Sequence, residues 1–260
     1  MYSLTTKTTV DGRAGTASTV ERVQTAAGRS RVEVFKSSIA PALAGMYMLF
    51  SLADSTLTSV LPGAQMAMTA KFAPPAPADS AATSVISNAK SEVRDLGPGE
   101  KIVDRDTHHY RVTRAATLTT RRSGQVCTRT VGGTEDIWIS TDSALKATLD
   151  VTLKPLSGLA GLHPLLGESW TQLVDSSTKN VPEGVRLRST RTERIVYPDG
   201  AAIERTLTSE FSEIAAAPID STLFALPKAY RVSDLREMNM SGPNLSEIVR
   251  KQLGGEQPGC

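Results

Sequence analysis

The chain has 260 residues, of which 40% are hydrophobic and 22% are charged, a composition typical of a soluble globular protein. Its 29 basic and 27 acidic residues nearly balance, and only 5% of the residues are aromatic. This balance argues against a nucleic-acid partner or an anionic membrane surface, and the low aromatic content argues against a stacking platform for single-stranded nucleic acid.

The first third of the chain predicts consecutive antiparallel strands. Its polar and apolar residues alternate in short runs, and turn residues such as Pro62-Gly63 separate them. Short strands joined by tight turns favour a meander. The predicted strands are Tyr2–Val10, Ser18–Ala26, Arg31–Lys36, Met46–Ser51, Thr56–Leu61 and Gln65–Phe72.

A stretch rich in proline and alanine, residues 73–84, interrupts this pattern. Proline cannot donate to a sheet ladder, and alanine is too small to anchor a core, so we expect an exposed loop. Strand-like sequence resumes beyond it, which favours a loop within a single β domain spanning residues 1–240. The later predicted strands are Glu92–Leu96, Glu100–Val103, His109–Thr120, Gln125–Val131, Asp136–Ser140, Val185–Tyr197 and Ala201–Phe211.

Two turns follow from the residues between these strands. Pro198-Asp199-Gly200 supplies the backbone angles of a tight turn between two alternating runs. The glycines of Val131-Gly132-Gly133-Thr134 do not match a phosphate-binding loop, because the lysine and the strand-to-helix setting are missing. We expect this second stretch to form a plain hairpin turn.

Three helices are predicted, two of them within residues 143–175. Asp142 or Ser143 can cap a helix over Ser143–Lys154, and Pro164–Val174 is a second short helix. The third lies in the terminal segment, residues 241–260, where Asn244 and Glu247 form a capping-box pattern.

The apolar, glycine-containing segment Leu156–Leu166 is the strongest functional candidate. It could be a buried connection that covers the sheet, a lid over a hydrophobic cavity, or a contact with a larger partner. The candidate contact residues are Leu156, Leu159, Leu162, Leu165, Leu166 and Trp170.

Catalytic and metal-binding patterns are weak. His108 and His109 would point to opposite faces of a strand, so they cannot bind one ion together, whereas His108 and Tyr110 could share a face. His163, the third histidine, lies in the apolar segment. Glu135-Asp136 is interpreted as a solvated strand start. The chain contains no nucleophile elbow, so we expect no catalytic residue, no metal and no cofactor.

Arginines could form a basic strip for a partner or a lipid headgroup. The alternative is a plain charged sheet face, in which Glu204 and Glu210 neutralise the arginines across strands. The arginines concerned are Arg111, Arg114, Arg121, Arg122, Arg186, Arg188, Arg191 and Arg194.

The cysteines and the first residues bear on location. Cys127 and Cys260 allow a disulfide, although chain ends are usually loose. Residues 1–10 show no signal-peptide pattern, and no apolar run reaches the roughly 18 residues of a membrane helix. The chain is therefore expected to be either cytoplasmic or a processed form of an exported protein.

Three stretches resemble an uncharacterised bacterial extracytoplasmic family, related in pattern to the LolA/LppX-like lipoprotein carriers. Asp220–Tyr230 is similar to a closing F-x-x-P-x-G-Y strand, with Ala229 in the usual glycine place. Gly99–Val112 followed by Thr134–Asp142 is similar to the family's paired central strands, with Asp104 where glycine is usual, and Tyr47–Leu61 fits its early strands. The match extends loosely over residues 1–238.

The resemblance implies an exported protein with a curved antiparallel sheet, or open half-barrel, that holds two or three short helices on its concave side. It carries over no catalytic residue. Our first hypothesis is a non-catalytic periplasmic binding or accessory subunit of a larger membrane complex, and a bacterial photosynthetic reaction-centre and antenna assembly would suit it. The alternatives are a carrier of a lipid or lipoprotein acyl chain and, third, a hydrolase.

Overall fold

In the computed structural model of the protein, which is mainly β, the described residues contain twelve strands that form one sheet. The described residues are 2–12, 15–26, 28–38, 41, 44–51, 53–54, 56–71, 82–122, 125–143, 145–146, 180–216, 218 and 220–234. Their strands are β1 (Tyr2–Gly12), β2 (Gly15–Ala26), β3 (Arg29–Ser37), β4 (Tyr47–Ser51), β5 (Thr56–Leu61), β6 (Met66–Lys71), β7 (Ala82–Pro98), β8 (His108–Arg122), β9 (Gln125–Ser140), β10 (Val185–Val196), β11 (Ala202–Ala216) and β12 (Arg231–Asp234).

The sheet consists of two meanders that meet at β1 and β11. Its strand order is β12-β6-β5-β4-β3-β2-β1-β11-β10-β9-β8-β7. The first meander runs outward from β1 to β6, and the second starts at the far edge with β7 and returns inward to β11. The described neighbours are antiparallel except for β12, which lies parallel to β6. The antiparallel meander predicted for the first third of the chain is therefore confirmed.

The β10–β11 hairpin forms as the turn residues predict. Gly200 has a positive φ of 84°, and its N–H donates to the Tyr197 carbonyl at 3.0 Å. The Asp199 carboxylate accepts from the Ala201 N–H at 3.0 Å. Asp and Gly thus provide the side-chain acceptor and the left-handed backbone that a tight turn requires.

One face of the second meander is deeply buried. Alternate residues of β8 from Tyr110 to Leu118 are at most 8% exposed, and so are alternate residues of β9 from Arg129 to Ile139, apart from Gly133, which is partly exposed. Two apolar clusters occupy this face. The upper cluster contains Ala116, Leu118, Val131, Ile195 and Tyr197, and the lower cluster contains Tyr110, Val112, Ile137, Ile139 and Val181.

Two sequence predictions about this half of the sheet are wrong. Val131–Thr134 is not a hairpin turn, because β9 runs unbroken from Gln125 to Ser140 and pairs with β8 and β10 on its two sides. Glu100–Val103 is not a strand. Ile102 and Arg105 exchange two backbone hydrogen bonds of 3.0 Å across a tight turn, in which Val103 and Asp104 both have positive φ.

The predicted loop 73–84 and the predicted helices fall mainly outside the described residues. Residues 82–84 already belong to β7, which also extends well beyond the predicted Glu92–Leu96. The start of the first helix is confirmed, because the Asp142 carboxylate accepts from the Leu145 N–H at 3.1 Å. The remainder of that helix, Pro164–Val174 and the terminal helix lie outside the described residues. In the described part of the chain, the other helical residues are Pro41 and two 3-10 turns, Pro62–Ala64 and Ser221–Phe224.

Two further observations concern the cysteines and the helices. Cys127 is disulfide-bonded, and Cys260, the other cysteine of the chain, lies outside the described residues. Among the described helices, none combines the length and the apolar character that crossing a membrane would require.

Candidate functional site

Two rows of charged side chains separate the upper and lower apolar clusters on the buried face. In the first row Arg114, Gly133, Glu193 and Arg205 are register partners across β8, β9, β10 and β11. In the second row Glu135 of β9 pairs in register with Arg191 of β10. Sheet alternation predicts which side chains share a face, but a charged band inside a buried face departs from the usual polar-out pattern.

Glutamates bind the arginines of these rows closely. Arg114 and Glu135 are 3% and 4% exposed, and their nearest side-chain atoms are 2.5 Å apart. Glu193 is 2% exposed; it accepts from Arg205 at 2.5 Å and lies 3.0 Å from Arg191. Burial lowers the pKa of Arg114, and the Glu135 carboxylate opposes that change. The five side chains lie side by side on four strands as two bonded groups, Arg114 with Glu135 and Glu193 with two arginines, and together they are called the buried ionic network.

The network is packed too tightly to bind a ligand. The gap bordered by Arg114, Gly133, Arg191 and Glu193 leaves no room for a water molecule. Gly133 explains how the charged groups fit, since a β-carbon there would lie 1.9 Å from the Thr192 carbonyl oxygen. The glycine pair that suggested a hairpin turn thus permits close approach of β9 and β10.

A second polar cluster lies on the opposite face of β8 and β9. The His109 ring stacks on Trp138 with centroids 4.3 Å apart, and it bonds to Asp136 at 2.9 Å. Arg111 donates to both Asp136 oxygens at 2.9 and 3.0 Å, which raises the pKa of Arg111. Arg188 lies 5.3 Å from the Trp138 ring centroid.

Glu135 and Asp136 therefore point to opposite faces and do not form a paired-carboxylate site. Glu135 belongs to the buried network, whereas Asp136 binds His109 and Arg111 on the other face. General acid–base catalysis needs groups that face one another across a cleft. The interpretation of Asp136 as a solvated strand-start residue needs correction too, because its side chain is only 19% exposed.

His108, Asp95 and Tyr110 come together at the outer end of β7 and β8. The His108 ring lies 2.5 Å from an Asp95 oxygen, and it stacks on Tyr110 with centroids 4.8 Å apart. The bond to His108, followed by one from the Gly97 N–H, lowers the pKa of Asp95. Because the Asp95 side chain is 60% exposed, bulk water solvates this pair, and we assign it the role of fastening edge strand β7 to β8.

The predicted basic strip is divided between the two faces and mostly neutralised. Arg114 and Arg191 lie in the buried network, and Arg186 approaches Glu135 at 3.7 Å. On the other face Arg111 binds Asp136, and Arg188 binds Glu100 and Glu210, as expected for Glu210. Arg121 and Arg194 are exposed, and the Arg122 side chain lies outside the described residues.

The leucine-rich candidate site lies outside the described residues. This applies to Leu156, Leu159, Leu162, Leu165, Leu166 and Trp170, as well as to His163. In the part of the chain that is described, no group of three or more His, Cys, Asp or Glu side chains is placed to hold a metal ion.

Edge strand β7 is the feature that sequence reasoning missed. It is 17 residues long, and among the described strands it pairs with β8 alone. Val85 near its start is 58% exposed, and Val126 of β9 is 60% exposed. Val85 pairs in register with Thr119 of β8, which pairs with Thr128 of β9. Val126 is two residues from Thr128 and points to the same side of β9, so Val85 and Val126 lie at the same corner of one face. The uncharged run from Ala82 to Asn88 is the signal that could have identified this edge.

An open pocket of about 210 Å³ lies at the other half of the sheet. It borders Leu49, Phe50, Phe224 and Leu226, with Arg29 and Asp54 among its polar groups. Ligand pockets for drug-sized molecules generally have about 300–1,000 Å³, so this one admits only a small molecule.

Neither the comparison with protein-family models nor the search of curated proteins finds a match for this chain.

Proposed function

We propose that the protein is a non-catalytic extracytoplasmic accessory subunit that binds a membrane protein complex through edge strand β7. The observation that supports this proposal most directly is that β7 is long and, among the described strands, pairs on one side only, with β8. Two exposed valines, Val85 and Val126, lie at one corner of the sheet beside it. An edge of this kind presents a row of backbone N–H and C=O groups that an extended segment of a partner can pair with.

The pattern of charges on β7 supports binding at its first half. Lys90, Glu92, Arg94 and Asp95 lie in the second half, and charged residues on an edge discourage pairing with other strands. The bulge between Ser87 and Lys90 separates this half from Ala82–Ser87, which has no charged residue. The partner segment is therefore expected to pair with the stretch from Ala82 to Ser87.

The disulfide at Cys127 supports an extracytoplasmic location. Disulfides form and persist in oxidising compartments such as the bacterial periplasm, and thiols are kept reduced in the cytosol of most organisms. Export would also agree with the resemblance to extracytoplasmic proteins.

The test is a gentle pull-down of the tagged protein from membranes of its native organism, with bound proteins and lipids both identified. A photo-crosslinking residue at position 85 should join the protein to an integral membrane subunit. Val85→Lys combined with Val126→Lys should reduce that capture about tenfold or more, because the first charge opposes strand pairing at the edge and the second removes exposed apolar surface at the same corner. Val232→Lys is the matched control, since Val232 is 55% exposed on the opposite edge strand, β12.

Equal capture by the two lysine variants would contradict this proposal. Recovery of lipid without a membrane subunit would instead favour the carrier function. Turnover of ester or peptide substrates that is lost on Asp95→Asn would favour the hydrolase.

A carrier of a lipid or lipoprotein acyl chain is the second candidate, and the geometry of the chain favours a sheet able to enclose one. Ten interstrand steps separate β6 from β7, which corresponds to about 48 Å in a flat sheet. The chain from Lys71 to Ala82 has eleven Cα–Cα steps and spans at most about 40 Å. This difference supports a curled sheet, as in the open half-barrel that the resemblance implies.

A further inference from the structure

Arg129 is a buried cation without a counter-ion in the described part of the chain. It lies on β9 and is 8% exposed. Its Nη2 donates to the Thr120 hydroxyl at 3.3 Å, and its Nε has no hydrogen-bond partner. Within the described residues, no ion pair joins Arg129 to a carboxylate.

The other buried arginines show that this protein neutralises such groups elsewhere. Arg114 binds Glu135, and Arg205 binds Glu193. Arg188 also has an unpartnered Nε, but two carboxylates, those of Glu100 and Glu210, neutralise its charge. Arg129 is therefore the exception, and a buried charge without a partner is strongly unfavourable.

Among the described residues, the buried face of β8–β11 carries surplus positive charge. It holds the guanidinium groups of Arg114, Arg129, Arg191 and Arg205 against the two carboxylates of Glu135 and Glu193. A water molecule would satisfy the orphan Nε, but it would leave the charge uncompensated. A carboxylate or phosphate would accept a hydrogen bond from the Nε and also neutralise the charge, since the Nε and Nη2 edge of a guanidinium matches two anionic oxygens.

Apolar side chains surround this cation. Leu118 is its register partner on β8, and Val131 lies two residues further along the same face; both are fully buried. They belong to the upper apolar cluster with Ile195 and Tyr197. These side chains are buried, so the remaining atoms of a ligand whose anionic group reaches Arg129 would contact them only by displacing the groups that now cover them.

We infer that Arg129 binds the carboxylate or phosphate group of an anionic ligand, with the upper apolar cluster beside it. The ligand is either an amphiphile with an anionic head or a free small anion. This assignment goes beyond the binding of a partner at the β7 edge and does not depend on it.

Titration calorimetry of the purified full chain tests this with two probes, laurate below its micelle concentration and inorganic phosphate. Each carries an anionic group, and laurate alone carries an acyl chain. Tighter binding of laurate identifies an amphiphile, and equal or tighter binding of phosphate identifies a small anion. Arg129→Met should weaken binding of the active probe about tenfold or more, as expected for the loss of charge-assisted hydrogen bonds.

Arg121→Met is the matched control, because Arg121 is exposed on the neighbouring strand, β8, and its loss removes the same formal charge. It should leave binding of either probe unchanged. Equal affinities for the wild type and Arg129→Met would overturn the proposal, and so would the absence of binding by both probes.

A measurement on the unmodified protein keeps the proposal testable if Arg129→Met does not fold. The ¹⁵N resonance of the Arg129 Nε should shift on addition of the active probe, because the probe's oxygen accepts from this group. An Nε resonance that does not move at saturating laurate and saturating phosphate would show a hydrated structural arginine and refute the assignment.

Discussion

Single residues decide how closely the strands of this sheet approach. Gly133 lies where a β-carbon would meet the backbone of β10, and Gly200 provides the positive φ of the β10–β11 turn. Val103 adopts a positive φ of 49°, a conformation that is unfavourable for a β-branched residue. At the next position, Asp104 has a φ of 59°, a left-handed conformation that glycine adopts without steric cost.

Gly133→Ala tests the close approach of β9 to β10. The new β-carbon would lie 1.9 Å from the Thr192 carbonyl oxygen, so the two strands must separate. We expect a loss of about 3 kcal/mol in the free energy of unfolding, measured by urea denaturation. Gly63→Ala is the control, because nothing lies within 4 Å of its β-carbon, and it should change stability by less than about 0.5 kcal/mol.

Glu21→Gln tests the effect of burial on one carboxyl group. Burial raises the pKa of Glu21, so folding favours its protonated form. That contribution to stability is complete below the unfolded pKa, about 4.3, and is lost as the pH rises through the raised folded-state value. The variant should therefore melt above the wild type at pH 7 and with nearly the same Tm at pH 4. A Tm difference that does not vary with pH would refute this, and Glu204→Gln, at an exposed site, is the control.

At the scale of elements, ionic bonds on the buried face join β8 to β9 and β10 to β11. Glu193 of β10 joins Arg191 on its own strand to Arg205 on β11, and Arg114 of β8 joins Glu135 of β9. Buried ion pairs are a poor source of net stability, but breaking one leaves an uncompensated charge. These ion pairs therefore favour one register of β8 against β9 and one register of β10 against β11.

Glu193→Gln should destabilise the protein by about 3–5 kcal/mol, because two guanidinium groups would then face a neutral amide. The urea midpoint measures this loss. Glu92→Gln removes an exposed partner of Arg94 and is the control, expected to stay within about 0.5 kcal/mol of the wild type. Equal midpoints for the two variants would mean that the buried network contributes nothing to stability.

At the scale of the whole molecule, the β1–β11 pair unites the two meanders. β1 hydrogen-bonds to β2 on one side and to β11 on the other, so residues far apart in the chain share one ladder. Opening this pair divides the sheet in two, whereas opening β7 exposes only an edge. The molecule should therefore unfold from its edges and lose its centre last.

Native-state hydrogen exchange with mass spectrometry tests this order. Amides of β1 and β11 should exchange at rates set by global unfolding, and amides of β7 and β12 should exchange faster. Exchange of β1 at the rate of the edges would show instead that the two meanders open independently.

The amino-acid sequence by itself determined the local structure of this protein. Alternation of polar and apolar residues predicted most strands, and Pro-Asp-Gly predicted the β10–β11 turn, because side-chain period and turn chemistry act between near neighbours. His108 and His109 were correctly assigned to opposite faces for the same reason. The cap at Asp142 was likewise predicted from local pattern.

Only the tertiary structure decided which strands adjoin, and with it the meaning of several residues. From the sequence, the glycines of β9 resemble turn glycines, and only the position of β10 shows that Gly133 permits close packing of two strands. Likewise, Glu135 is interpreted as solvated from the sequence, and only the structure shows it buried against Arg114. The orphan Nε of Arg129 and the open edge of β7 are likewise invisible in the chain. The physical reason is that pairing between distant strands sets burial, and burial determines whether a charge is solvated, neutralised or left without a partner.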